Sequence, residues 1–380
     1  MQKPIRIVHN IASLHFGGSQ AFVMNIYRNI DRNKVQFDFI VTPEEKEGFY
    51  DEITNLGGMI FTCPRFKGAN HIQYNKWWDD FFYEHPEYKV IHGHVRSTAS
   101  IYLKIAKKHG LVTIAHSHST SNGNGISAIV KRIMQLPIRK QADFLFACSD
   151  KAGKWLFGEK AITQQNYYMI PNGVDLKRFE FDVNKRNQMR MTLGIKEDMM
   201  ILGHIGRLST PKNHKFLLDV FNQYHKINSN SKLLLVGDGE LFESIKQHIN
   251  QLDISDAVIM TGSKQNTEDY YQIMDIFLFP SLWEGLPVSV VEAQANGLQC
   301  IISDVITRDV DLTALIQYLP LDEKLWLDAI IEAHKKKRIG LTSENRVRLQ
   351  PFDAITVANK LQEFYLKQDE RARRWCASSV

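Results

Sequence analysis

The sequence predicts an α/β protein made of two Rossmann-like domains, and three observations lead there. Short apolar or β-branched runs alternate with helical patterns along nearly all of the 380 residues. The alternation falls into two sets, divided where Pro171, Asn172 and Gly173 break the pattern. The composition, 44% hydrophobic and 23% charged, is that of an ordinary globular chain long enough to bury two cores.

In the first set the strand-like runs are residues 5–10, 37–41, 90–92, 111–115 and 144–148, with helical stretches at 21–29 and 97–108. In the second set the runs are 200–205, 232–236, 257–260, 276–279 and 299–303, with a helical stretch at 213–226. Such alternation predicts parallel sheets covered by helices on both faces, a cleft between the two domains, and ligands at the carboxyl ends of the strands. The expected division is residues 1–170, 171–350 and a final segment 351–380. In that segment Ala358, Leu361, Phe364 and Tyr365 share one helical stripe, and the tail from Asp369 reads as frayed.

Composition narrows the function. Cys63, Cys148, Cys300 and Cys376 are far apart with no C-x-x-C pair, which argues against a zinc or disulfide framework and for a reducing, cytoplasmic setting. No apolar run approaches bilayer-crossing length, and the N-terminus reads as a strand and a glycine loop rather than a signal peptide. The net charge of +5 is uneven: residues 1–170 hold 21 Lys+Arg against 14 Asp+Glu, and residues 171–380 hold 26 against 28. A basic first half points to an anionic partner, such as a phosphorylated acceptor, an anionic membrane surface or nucleic acid.

The most informative stretch is PSLWEGLPVSVVEAQANG, residues 280–297. Glu284 and Glu292 stand eight positions apart, between a strand end, a Gly-Pro loop and a helix start. A helix N-terminus grips phosphate and carboxylates grip hydroxyls, and nucleotide sugars carry both groups. In GRLSTPKNH, residues 206–214, Arg207 and Lys212 follow a strand end and can neutralise a pyrophosphate; as surface residues they would be solvated cations. Gly17 and Gly18 follow the first strand and precede a helix, where glycine permits close ligand approach or simply a tight turn.

Two histidine pairs stand at i, i+2 spacing. His116 and His118 share a face in an extended segment, but no nearby Cys or second histidine motif completes a metal site. A neutral imidazole bonded to a sugar hydroxyl is one reading, and loop histidines making local hydrogen bonds is the other. His92 and His94 in IHGHVR read as wall or acceptor-side residues. In residues 126–143, Lys131, Arg132, Arg139 and Lys140 flank Ile129, Ile133, Met134 and Leu136. This is either a membrane-surface helix or a core helix with a solvated basic side, and Pro137 interrupts it. Asp309 and Asp311 form a D-x-D away from the other motifs, which reads as structural.

Taken in order, Gly17-Gly18, IPNGVD, GRLSTPKNH, LLLVGDGE, TGSKQN and the 280–297 stretch resemble the retaining family-four glycosyltransferases over nearly the whole chain. The likeness is greatest to the bacterial branch that makes capsular and extracellular polysaccharides. The resemblance implies a GT-B fold, with the acceptor on the first domain, the nucleotide-sugar donor on the second and the last helix returning to the first. It implies that Glu292 holds the ribose hydroxyls and Glu284 lies by the donor sugar. Arg207 and Lys212 would stabilise the leaving diphosphate, and His116, or alternatively His118, would touch the donor sugar. Gly17, Gly18, Gly206, Gly262, Leu286, Pro287 and Val288 would lie along the donor, and His92, His118 and Arg96 on the acceptor side. Many members have E-G-F-G-L-P, whereas here Glu284 is followed at once by Gly285, Leu286 and Pro287, and IISDVITRDVDL replaces a Gly-Gly…Glu segment.

The implied reaction is transfer from an NDP-sugar, with UDP the default, to a hydroxyl of a glycan or lipid-diphosphate-linked acceptor. Front-face attack retains the anomeric configuration, and no metal or other cofactor is needed. The expected setting is cytoplasmic with peripheral contact to the inner membrane face, and no nucleic acid is expected as a partner. A nucleotide-sugar 2-epimerase of the same fold and a non-catalytic donor-binding subunit are the alternatives. A Rossmann dehydrogenase lacks its G-x-G-x-x-G here.

Overall fold

The structure, a computed structural model, describes residues 3–15, 17–43, 48–120, 125–336, 338 and 340–378, without the side chains of residues 126 and 374–378. The chain forms two compact units, Met1–Gly173 with Phe352–Val380, and Val174–Pro351. The change of unit falls between Gly173 and Val174, three residues beyond the expected join.

The first unit is built on β1 (Ile5–Asn10), β2 (Val35–Val41), β3 (Ile60–Thr62), β4 (Val90–Gly93), β5 (Val112–Ser117), β6 (Phe144–Ala147) and β7 (Tyr167–Met169). They make one parallel sheet in the order β3-β2-β1-β4-β5-β6-β7. One face packs Ile7, Phe37, Val90, Ile114 and Phe146 against Phe22 and Ile26 of the helix Gly18–Asn29 and Leu361 and Tyr365 of the helix Ala354–Ser378. The other face packs Val8, Ile91, Ala115 and Leu145 against Trp78, Phe82, Tyr102 and Leu103.

The second unit holds β8 (Met200–Ile205), β9 (Ser231–Val236), β10 (Val258–Met260), β11 (Ile276–Phe279), β12 (Gln299–Ser303) and β13 (Ile316–Leu319), parallel, in the order β10-β9-β8-β11-β12-β13. Leu202, Leu233, Leu278 and Ile301 meet Leu217, Phe221, Ile245 and Trp326 in its core. In each sheet the winding reverses direction once, beside β1 and β4 in the first and beside β8 and β11 in the second. At such a switch point the connecting helices leave on opposite faces, opening a crevice outside the carboxyl ends.

Several expectations change. Strands β3, β7 and β13 were not expected. Pairing of His116 with Phe146 and Ser117 with Ala147 carries β5 through Ser117, so His116 is a strand residue, not a loop residue. The C-terminal helix keeps its buried stripe beyond Tyr365 through Gln368, Asp369 and Ala372, and Arg373 pairs with Asp369 at 2.5 Å. The start of the supposedly frayed tail is therefore packed; the side chains from 374 onward lie outside the described residues. The basic stretch is two helices, Ile126–Gln135 and Ile138–Gln141, separated at Pro137.

Candidate active site

The second unit gathers most of the donor-side candidates in one stitched layer of loops. Gly206 N–H donates to Val236 O at 3.0 Å, Leu208 N–H to Asp238 O at 3.0 Å, Gly237 N–H to Gly262 O at 3.0 Å and Leu282 N–H to Pro211 O at 2.7 Å. The loops after β8, β9, β10 and β11 are thereby tied to one another. Gly237 has φ +146° and lies so close to Gly206 O that an added Cβ would stand 2.0 Å from it, so only glycine fits. Gly262 also has positive φ, +70°, with open space where a side chain would project.

Lys212 and Glu284 meet within this layer. Nζ lies 2.7 Å from Oε1, with the two side chains only 16% and 17% exposed, and the ammonium stands 4.6 Å from the centre of the Phe279 ring. A Cβ on Gly206 would come within 3.1 Å of Lys212 Cε, so the glycine leaves the lysine stem its path. Next to it are His204 and His214, both buried, with rings 5.0 Å apart. Burial, then the Lys212 charge, lowers His214 to about 4; burial is also the main reason His204 stays neutral. Lys212 is thus the cation at this point. Arg207 is placed differently: its Nε is 3.1 Å from Glu240 Oε2 and its side chain is 73% exposed. Solvent screens an exposed pair of this kind, so little holds the guanidinium there.

Glu292 sits one turn inside the helix Val288–Ala295. Its Oε2 accepts from the Tyr271 hydroxyl at 2.8 Å. Burial pushes its carboxyl up to about 7, against the opposing pull of the Tyr271 hydrogen bond and the Arg178 charge. Arg178 itself pairs with Glu268 at 2.8 Å. Tyr271, Arg178 and Glu268 were not singled out from sequence: a tyrosine in EDYYQI carries only a core signal. Leu286 and Pro287 are buried and Val288 begins the helix. No side chain caps that helix start, so its leading amides keep the electropositive end available to an anion. Asp309 accepts from the Thr307 hydroxyl at 2.8 Å in a local turn.

The first unit carries a buried histidine cluster. His9 on β1, His92 on β4, His94 just after it, His116 on β5 and His118 just after it project from the sheet face that packs the Gly18–Asn29 helix, with Phe22 against His94, His116 and His118. The supposed separate pairs are therefore one group, because parallel pairing sets His9 beside His92 and runs β4 alongside β5. His9 Nδ1 is 3.0 Å from His94 Nε2, His94 Nδ1 is 2.8 Å from His118 Nε2, and His92 Nε2 is 3.0 Å from His116 Nδ1. Burial lowers all five pKa values, His118 to about 3, with the Arg96 charge as its second cause.

This corrects the expectation that nothing completes a metal site around His116 and His118. His94, His116 and His118 offer three ring nitrogens within 4.8 Å of one another, as do His9, His92 and His94. Neutral imidazoles are transition-metal ligands. Both nitrogens of His94 are already hydrogen-bonded, however, so an ion could take that residue only by breaking the network.

The remaining candidates in this unit have definite places. Gly17 is extended at the start of its helix with φ −165°, and a Cβ on Gly18 would meet nothing within 4 Å. Neither glycine is needed for a left-handed turn; Gly18 leaves space at the helix start, whereas a Cβ on Gly17 would stand 2.7 Å from Gln20 Oε1. Arg96 donates to Ser119 O at 3.1 Å and its guanidinium lies 4.9 Å from the Trp155 ring centre. On the helix Ile126–Gln135 and just past it, Ile129, Val130, Ile133 and Leu136 are 50–62% exposed beside exposed Lys131, Arg132, Arg139 and Lys140. Their apolar side is not packed into a core. No described helix is long and apolar enough to cross a membrane.

Comparison with known proteins gives the family and the fold. The family described as Glycosyltransferase Family 4 matches residues 16–178, and that described as Glycosyl transferases group 1 matches residues 185–308. EpsF of Bacillus subtilis strain 168, named as a glycosyltransferase, is 33% identical over 336 residues, 86% of this chain and 87% of its own. A UDP-Gal:α-D-GlcNAc-diphosphoundecaprenol α-1,3-galactosyltransferase of Escherichia coli is 24% identical over 298 residues, covering 74% of this chain and 76% of its own. Glycosyltransferases of capsular polysaccharide and teichuronic acid biosynthesis are also among the relatives. The fold matches that of Anabaena HepE, crystallised with UDP and glucose, with a TM-score of 0.78 at 17% identity over 96% of this chain and 100% of that one. With two parallel-sheet units, a stitched loop layer and these relatives, the chain belongs to the family-four glycosyltransferases of the GT-B fold that serve polysaccharide biosynthesis.

Proposed function

We propose that this glycosyltransferase moves a sugar from a UDP-sugar to a hydroxyl of a lipid-diphosphate-linked glycan, with retention at the anomeric carbon. The observation that carries the reading is the loop layer of the second unit. It holds a half-buried cation, Lys212, an uncapped helix start at Val288, and a carboxyl, Glu292, one turn further on. These suit a diphosphate and a ribose in sequence. HepE binds UDP, and the E. coli relative takes UDP-Gal and a diphosphoundecaprenol acceptor, which supports the same classes of substrate here.

In this reading the acceptor oxygen bonds to the anomeric carbon on the face the diphosphate leaves. The carbon–phosphate-oxygen bond breaks, its electron pair stays with UDP, and a UDP oxygen receives the acceptor proton. Lys212, Arg207 and the leading amides of the Val288–Ala295 helix meet the growing charge, so a metal is not required for it. Glu284 holds Lys212 and lies by the sugar, and His116, by the family resemblance, is a partner for a sugar hydroxyl. The exposed apolar residues of the Ile126–Gln135 helix, set among lysines and arginines, rest on an anionic membrane surface where such an acceptor resides.

The test is incubation of the full chain with a panel of NDP-sugars and a polyprenyl-diphosphate-linked sugar. UDP release with a lipid-linked product whose new linkage keeps the donor's anomeric configuration by NMR is expected. An inverted linkage would overturn retention. A 2-epimer formed without acceptor would move the chain to the epimerase reading.

A further inference from the structure

Within the histidine cluster, one chain of hydrogen bonds ends at the residue assigned to the donor. The Tyr365 hydroxyl lies 2.7 Å from His92 Nδ1, and His92 Nε2 lies 3.0 Å from His116 Nδ1. His116 Nε2 is buried and has no partner among the described residues. All three side chains are essentially inaccessible to solvent. Burial keeps both imidazoles neutral and the phenol protonated, so each ring carries a single N–H to place.

Only two proton arrangements satisfy both contacts. In the first, the Tyr365 O–H donates to His92 Nδ1, His92 Nε2–H donates to His116 Nδ1, and His116 carries its proton on Nε2. In the second, every donor reverses: His116 Nδ1–H donates to His92, His92 Nδ1–H donates to the phenol oxygen, and the Tyr365 proton needs another acceptor. Among the described residues His92 is the only hydrogen-bond partner of the Tyr365 hydroxyl. The second arrangement therefore strands a buried hydroxyl proton, while the first leaves unpaired only the Nε2–H of His116. A buried donor without a partner is costly, and a ligand oxygen would relieve it.

We infer that Tyr365 and His92 are positioning residues that hold His116 as its Nε2–H tautomer, a buried hydrogen-bond donor left for a ligand oxygen. The tautomer follows from the hydrogen-bond geometry with both rings neutral; only the identity of the ligand oxygen rests on the donor reading above. The inference also gives the C-terminal helix a part in the site, since Tyr365 follows His92 by 273 residues and reaches it only because that helix packs on the first sheet.

The test is long-range proton–nitrogen correlation on the full chain with nitrogen-15 histidine, with His116 assigned by the signals lost in His116→Gln. The expected spectrum has His116 and His92 both protonated on Nε2. Tyr365→Phe keeps the ring in the core but removes the proton donor, so both histidines should lose their single tautomer, and kcat/KM for the donor should fall on the order of tenfold. A wild-type His116 protonated on Nδ1 would overturn the inference, and this spectrum decides even if the variant fails to fold. So would a tautomer unchanged in folded Tyr365→Phe. If the tautomer responds as stated while His116→Gln turns over normally, the relay stands and the contact between His116 and the donor falls.

Discussion

The two units solve the problem of polar groups at the carboxyl ends of a parallel sheet in opposite ways. The first buries five histidines, kept neutral by desolvation and satisfied largely by one another. The second keeps charge at the same place in the fold, with Lys212 against Glu284 and Arg207 on the surface with Glu240. A neutral array can orient hydroxyls but cannot offset a diphosphate, whereas a lysine beside a helix start can. In the proposed reading, the charged layer of the second unit is the part suited to leaving-group stabilisation.

The comparison breaks most readily on acidification. A histidine whose folded pKa lies below its unfolded value of about 6.5 stabilises the fold above that value and costs stability as pH falls. At pH 5 each deeply depressed histidine costs about 2 kcal/mol. The first unit has five such groups and the second has His204 and His214. Glu292 works in the reverse sense: with its folded pKa raised to about 7, the stability it lends is present at low pH and lost as pH rises from the ordinary carboxyl range toward 7. Hydrogen exchange from pH 7 to pH 5 should therefore show β4 and β5 losing protection well before β8 and β11. Equal loss would mean the cluster is not neutral at pH 7.

A smaller effect, in turnover rather than stability, sharpens the other side. Lys212→Ala should cut kcat by roughly 10²–10³ if the ammonium stabilises charge developing on the diphosphate, and Arg207→Ala should do the same if its loosely held guanidinium turns inward on binding. Measured together, the pair separates their roles. A large loss for Lys212 with near-normal turnover for Arg207 would leave Arg207 as the surface cation it is without ligand.

Much of this was legible in the sequence, for reasons that differ by element. Runs such as IRIVHN and IFLF sit at or near the sheet centres, are rich in β-branched or apolar residues, and were read close to their true bounds. Strands β3, β7 and β13 lie at sheet edges, are three or four residues long and half exposed, so apolar patterning does not mark them. Lys212, Glu284 and Glu292 were singled out because ordered motifs place them just after strands or at a helix start. The histidine cluster was not, since pairs 24 residues apart meet only through strand register. Tyr271 and Tyr365 were read, where at all, as core residues, because burial by itself gives no sign that a hydroxyl has a task.

The most direct measurement is calorimetric titration of UDP into the full chain, wild type and Glu292→Gln, at pH 6 and pH 8. A ribose hydroxyl donates to an ionised carboxylate, and a hydrogen bond to a charged group is worth about 1.5–3 kcal/mol. The account predicts saturable wild-type binding, tighter at pH 8 than at pH 6 as Glu292 ionises near 7. It predicts binding about 10–100-fold weaker in Glu292→Gln at pH 8, with the pH difference largely gone. No heat from UDP, or equal affinity in both proteins at both pH values, would contradict it.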